Sequence, residues 1–158
     1  MSSPANDSLF CQEQASRSNR LFRVSHVFAE PSTQDSLVPL HALFSSLEQV
    51  CAGTRDESVA ESRLAWWQEE IAGRGIRASA HPVMKEWVRT GADQRIPEGL
   101  VYRLVQSARQ RLDGTPPTDR DGLEALCLQT GSPLIEMELT LCGCDPDTSG
   151  LEQLSLKA

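Results

Sequence analysis

The sequence has few aromatic residues, no paired cysteine motif and no long apolar run. Aromatic side chains make up 5% of the 158 residues, and the abundance of Leu, Ala and Val favours packed helices over a sheet. The five cysteines are an odd number without a Cys-x-x-Cys pair, which indicates neither a zinc knuckle nor a disulfide framework. We therefore expect reduced thiols in a cytoplasmic protein.

Other absences exclude whole classes of protein. No run approaches about 18 apolar residues, and the polar N-terminus lacks the apolar segment of a secretion signal, so at most a peripheral contact with a membrane is expected. With 15 Lys and Arg against 22 Asp and Glu, the net charge is -7, which argues against a nucleic-acid partner because phosphate binding needs a basic face. No GxSxG, GxGxxG, P-loop or HExxH motif is present, so hydrolase, dinucleotide-binding, nucleotide-hydrolysing and zinc-protease functions have no motif.

What the chain does contain is helical periodicity, most distinctly around its two adjacent tryptophans. One face of a helix is formed by residues spaced three and four apart and widened at one side, namely Ala60, Leu64, Trp67 and Ile71 with Val59 and Trp66. Thr54 and Glu57 have the spacing of a capping box, and Gly73 with Gly75 predicts the end. Because buried tryptophan is large, we predict that this helix is central.

Similar patterns predict the remaining helices. A disordered N-terminus (1–8) is followed by a domain over 9–158, with a first short helix beginning near Asn6 or Asp7. Residues 21–28 fit a strand or a helix by periodicity, and we favour a helix, ended by Pro31, because no partner strand is found. The next helix is predicted to begin at Asp35 or Ser36, to carry Pro39 in its first turn and to end at Gly53.

The second half of the chain continues in the same way. Pro82 opens a short helix, and Pro97 opens the cleanest amphipathic pattern of the sequence, which ends near Asp113. A last long helix is predicted from Thr118 to Leu141 and is kinked at Pro133, because its apolar phase continues past that proline. Six or seven helices with short connections predict an all-α fold of antiparallel helices.

Candidate chemistry is sparse. Pairs of carboxylates four apart on facing helices can hold magnesium against a diphosphate, but residues 40–53 contain the single acid Glu48. Glu57 and Glu61 have the spacing, yet acids in the first turns of a helix are explained by its dipole. We interpret the histidines, including His41, as packing or capping residues. Arginines around Arg20 and Arg109 either contact phosphate oxygens or form solvated faces, and the solvated alternative is preferred.

Five stretches occur in a recognisable order: Cys11, Ser18-Asn-Arg-Leu-Phe22, Leu40-His-Ala-Leu43, Arg63-Leu-Ala-Trp-Trp67 and His81-Pro-Val83. They resemble the opening Cys and the Ser-x-Ser-Phe, Leu-Tyr-Ala-Phe, Arg-Leu-x-Trp-Trp and His-Pro-Val segments of the squalene/phytoene synthase family. These proteins are all-helical head-to-head prenyl transferases. The resemblance covers most of residues 9–143, and its last two segments are the most specific.

The resemblance implies an antiparallel helix bundle of the isoprenoid (terpenoid) synthase type and a transferase role in isoprenoid biosynthesis. In active members the third segment continues into an aspartate-rich metal motif, whereas this chain reads Glu48-Gln-Val-Cys-Ala52, so Glu48 is the only remnant metal ligand. The second such motif would lie beyond Ala158, so the domain is expected to be incomplete at its C-terminus. In this respect the chain is closest to the branch that includes the mitochondrial complex I assembly factor.

Substrate-binding positions follow from the same resemblance and are Arg20, Phe22, His41, Phe44 and Arg109. We expect a catalytically impaired protein that binds an isoprenoid lipid, such as a prenyl diphosphate, or a protein partner. The alternatives are part of an active magnesium-dependent prenyl transferase, in which case Mg is the cofactor, and a helical interaction module without lipid. Homo-oligomerisation or partner binding is expected through an exposed apolar strip on the helices at 40–50 and 123–141.

Overall fold

The structure is a computed structural model that describes residues 4–18, 21–53, 56–74, 76–114 and 116–144. Within these ranges the chain is mostly helical and contains no strand, so the predicted all-α fold is confirmed. In chain order the helices are α1 (Pro4–Ser18), α2 (Phe22–Ser25) with a following 3₁₀ turn (His26–Phe28), α3 (Pro31–Gly53), α4 (Glu57–Ala72), α5 (Pro82–Arg89), α6 (Ala92–Arg95), α7 (Glu98–Asp113) and α8 (Arg120–Leu141).

The centre of the bundle is α3, which packs against α1, α4, α5, α7 and α8. Leu40, Leu43 and Leu47 on this helix are at most 1% exposed. The prediction that the tryptophan helix is central is therefore wrong: α4 buries one face, formed by Ala60, Leu64, Trp67 and Ile71, while α3 is surrounded. A 23-residue helix that is apolar on several sides takes the middle, because more of its surface gains from burial.

The widened face predicted for α4 is also narrower in the structure. Trp67 is 4% exposed, but Trp66 is 42% and Val59 39% exposed. The helix starts at the cap residue Asp56, whose side chain accepts a hydrogen bond from Ser58 N, so Asp56 takes the capping role predicted for Thr54, a residue outside the described ranges. Its predicted end is confirmed, since Gly73 is the C-cap.

Two helices begin earlier in the sequence than predicted. α3 begins at Pro31, the residue predicted to end the preceding helix, so Pro39 lies inside α3 and not in its first turn. Proline fits the start of a helix because its missing N–H has no intrahelical partner there, and Pro31 uses this advantage. α1 likewise begins at Pro4, so residues 4–8 of the segment expected to be disordered are helical.

The long C-terminal helix is confirmed as one element, since α8 runs through Pro133 without a break. Its cap is Asp119, which accepts a hydrogen bond from Gly122 N, and not the predicted Thr118. The capping box predicted at Ser149 lies outside the described residues.

The prediction of an exposed apolar strip is wrong for residues 40–50, because most of them are buried. On α8, Leu123 is 51% exposed. No described helix has the length and apolar character needed to cross a membrane.

Candidate functional site

The functional residues predicted on α3 lie along one side of that helix. His41, Phe44 and Glu48 are three and four residues apart, so they form a ridge along the helix. Their partners come from α2, α7 and α8, which contribute Phe22, Arg111 and Glu138. The side of α3 that carries the candidate chemistry is therefore a polar seam inside the bundle, and we refer to these six residues as the α3 seam.

At one end of the seam, His41 is clamped between an aromatic ring and a carboxylate. His41 is 3% exposed, and its ring stacks on Phe22 with centroids 3.8 Å apart and planes 26° apart. Its Nε2 lies 2.7 Å from Oε1 of Glu138 on α8, while its Nδ1 is buried without a hydrogen-bond partner among the described residues. The ring of His26 also stacks on Phe22, with centroids 4.7 Å apart.

A small cavity of about 250 Å³ opens beside the clamp. Its walls include His26, His41, Glu138 and Cys142, together with apolar residues of α2 and α3. Burial raises the pKa of the Cys142 thiol above its ordinary value. The polar side chains around this cavity thus offer a thiol, the hydroxyl of Ser25, two imidazoles and one carboxylate that is already bound to His41.

At the other end of the seam, Glu48 forms an ion pair with Arg111 of α7. The guanidinium of Arg111 also lies over the ring of Phe44, 6.0 Å from its centroid. Cys51, one turn further along α3, donates its thiol hydrogen to the carbonyl of Ala108 at 3.2 Å. The carboxylate proposed as a remnant metal ligand is therefore held by a permanently charged cation.

These contacts do not fit a magnesium site. Mg²⁺ requires an octahedral set of oxygen ligands, usually with carboxylates that can face the ion. The α3 seam has two carboxylates, Glu48 and Glu138, at its opposite ends. Each is already paired, Glu138 with His41 and Glu48 with Arg111, which supplies a positive charge where a cation at Glu48 would bind. Among the described residues, no three His, Cys, Asp or Glu side chains form a group that can hold a metal ion.

The structure brings together some of the predicted site residues and separates others. Phe22 with His41, and Phe44 with Glu48, belong to the α3 seam. Arg109 does not: it contacts α4, with Nε 3.2 Å from Oε2 of Glu61 and Nη2 3.3 Å from Oε1 of Gln68. Arg20 lies outside the described residues.

Two partnerships in the seam, that of Arg111 with Glu48 and that of Glu138 with His41, are not indicated by the sequence. In each, the two residues belong to different helices, so no local spacing connects them. A weak signal did exist for Glu138, a carboxylate between the core residues Met137 and Leu141 on the buried side of α8. An acid next to core positions is expected to find a partner, because an unpaired buried charge is costly.

A second cluster unites two motif stretches that are distant in sequence. The rings of Trp66 and Trp67 meet the ring of His81, the N-cap of α5, with centroids 5.5 and 4.7 Å away. Such spacings are direct edge-to-face contacts, so the cluster is packed and leaves no room for a ligand between the rings. Its outer side borders a cavity of about 450 Å³ that also contacts Val59 and Arg63.

The packing of His81 predicts a dependence of stability on pH. Burial lowers its pKa below the ordinary value of 6.5, with Lys85 acting in the same direction and Glu70 against it, and Nδ1 accepts a hydrogen bond from Val83 N, which a protonated ring cannot do. The unfolded chain therefore binds this proton more readily, so stability is full above the unfolded pKa and falls as pH drops through the folded pKa. We therefore expect the melting temperature to be lower at about pH 5 than at about pH 8.

The variant His81→Asn tests this expectation. Asparagine is a favourable N-cap acceptor that does not titrate, so the decrease in melting temperature between the two pH values should become smaller. His26→Asn serves as a control that also removes one histidine but leaves the cluster intact. An equal decrease in the wild type and His81→Asn would contradict the role given to His81.

All five cysteines are unpaired in the structure. Cys11 is fully buried at the contact of α1 with α5, where burial first and the charges of Glu86 and Asp7 next raise the pKa of its thiol to about 12. The thiol thus stays protonated and is a packing residue rather than a nucleophile.

Comparison with protein families finds a match over most of the chain. The family model for squalene/phytoene synthase matches residues 15–157. No curated protein and no solved structure matches the chain. The match includes every residue of the α3 seam.

Proposed function

Since the chain belongs to the squalene/phytoene synthase family, we propose that it is a catalytically impaired member that binds an isoprenoid lipid without joining two such molecules. The observation that carries this proposal is the pairing of Glu48 with Arg111. The reaction of the family acts on isoprenoid diphosphates, and departure of a diphosphate requires cations that neutralise it. An acid that is neutralised by an arginine does not recruit them.

The remaining chemistry of the seam is suited to binding. The stacked rings of Phe22 and His41 are buried but border the cavity of about 250 Å³, and the half-buried ring of Phe44 adds apolar surface for an isoprenoid tail. Arg111 places a cation beside Phe44, where it can meet a phosphate oxygen once a ligand competes with Glu48. Tail and head group would thus contact different ends of the same ridge.

The proposal is tested with farnesyl diphosphate, with and without magnesium. We expect the ligand to raise the melting temperature in both cases, since a ligand at a hundred times its Kd stabilises a protein by about 2.7 kcal/mol. Replacement of Phe44 by alanine should reduce this shift. No condensed prenyl product is expected in either condition.

Two outcomes contradict the proposal. A condensed product that is lost in Glu48→Ala, but retained in the control Glu69→Ala on the exposed side of α4, would show a working prenyl transferase. Absence of any shift with farnesyl or geranylgeranyl diphosphate would instead support a helical interaction module that binds only a protein partner.

A further inference from the structure

The segment formed by α2 and the 3₁₀ turn presents an apolar stripe to solvent. It consists of Leu21, Val24, Val27 and Phe28, which are between 52% and 88% exposed. The residues are spaced three, three and one apart, so they share one side of the helical segment, while Phe22 on the opposite side is buried in the α3 seam. Four large apolar side chains in so short a segment form a surface that needs an explanation.

The same segment is basic. Its described arginines form no ion pair with a described carboxylate, unlike Arg77, Arg103 and Arg109 in the acid-free stretches 71–85 and 99–112. Between residues 14 and 29 the sequence contains Arg17, Arg20 and Arg23 and no acid, although the whole chain carries a net charge of -7. Arg17 and Arg23 are exposed, and both line a groove of about 410 Å³ between α1 and α2, together with Gln12, Glu13 and Ser16. Cations therefore flank the stripe.

We propose that the apolar stripe, with Arg17 and Arg23, docks this protein on the surface of an anionic phospholipid bilayer. Short amphipathic segments bind at the interface with their apolar side chains among the acyl chains and their arginines at the phosphates. The negative charge of the lipid surface attracts the unpaired arginines of this segment, so it favours docking through the apolar stripe.

The features of the stripe favour lipid over a second copy of the chain. A two-fold symmetric dimer would place the same face against itself and would bring the arginines of both copies together. Phe28, at 88% exposure, stands out from the surface, and a fluid interface can enclose a protruding ring without a preformed pocket. Docking at the bilayer does not depend on isoprenoid binding in the α3 seam.

Sedimentation with vesicles tests the docking proposal. We expect binding to vesicles of equal parts phosphatidylcholine and phosphatidylglycerol, a decrease with added salt, and little binding to phosphatidylcholine alone. The double variant Val24→Ser and Phe28→Ser should weaken binding by at least about tenfold, since each loses most of an exposed apolar side chain. Arg23→Gln should weaken it by about fivefold.

Matched controls separate this face from general stickiness. Ile76→Ser with Leu123→Ser removes two side chains of similar exposure elsewhere, and Arg120→Gln removes an exposed cation, so both should bind as the wild type does. Circular dichroism establishes that the variants remain folded. No binding of the wild type to anionic vesicles, equal losses in the controls, or a dimer in solution that Val24→Ser and Phe28→Ser convert to a monomer would overturn the proposal.

Discussion

Replacing Trp67 by alanine is expected to lower the free energy of unfolding by about 3–5 kcal/mol. The side chain is 4% exposed, lies in the core with Leu64 and Ile71, and contacts the rings of Trp66 and His81. Its removal leaves a cavity that rigid helices around it cannot close. Urea unfolding followed by circular dichroism measures the change, which is a large part of a total stability of roughly 5–15 kcal/mol.

The adjacent tryptophan is the matched control for this variant. Trp66 is 42% exposed, so Trp66→Ala loses ring contacts with Trp67 and His81 but opens no enclosed cavity. We expect a loss of about 1 kcal/mol, in line with the contribution of an aromatic pair. Equal losses for the two variants would mean that the packing of α4 differs from the arrangement described above.

The second large effect concerns a buried carboxylate on α5. Glu86 is 3% exposed and is held by Arg89, whose Nε lies 3.0 and 2.9 Å from the two carboxylate oxygens and whose Nη2 lies 2.7 Å from Oε2. These hydrogen bonds raise the pKa of Arg89 above its ordinary value. Arg89→Met keeps an unbranched apolar stem but leaves the charge of Glu86 without its partner, so we expect a loss of about 3 kcal/mol.

Two further variants isolate the cause. Adding Glu86→Gln to Arg89→Met removes the buried charge, so the double variant should be more stable than Arg89→Met alone by at least about 1 kcal/mol. Arg103→Met breaks the ion pair of Arg103 with Glu136. The side chains of Arg103 and Arg89 are equally exposed, at 51%, but the side chain of Glu136 is 18% exposed and that of Glu86 only 4%. We therefore expect Arg103→Met to lower the free energy of unfolding by about 1 kcal/mol. Equal losses for Arg103→Met and Arg89→Met would refute the role of carboxylate burial.

Most of the helices could be predicted because their signals are local. On α7, residues spaced three and four apart, from Leu100 to Leu112, form a buried or half-buried face as predicted. His81 was expected to cap or pack, and it does both. The errors concern positions where two local rules compete, as at Pro31, which ends one helical pattern and fits the first turn of the next.

The site was predictable only in part. A resemblance of short motifs identified Phe22, His41, Phe44 and Glu48, and the structure places all four on or against one side of α3. It did not indicate that Arg109 faces α4, because the direction of a side chain on a polar helix face depends on which helix packs there.

The sequence by itself determined the all-α class, the family and nearly every helix, because apolar periodicity, prolines and motif strings are properties of neighbouring residues. Only the tertiary structure decided that α3 is central, that Glu48 meets Arg111 and that His41 meets Glu138. Those pairs join separate helices, and a helical pattern specifies which face of an element is buried but not which partner covers it.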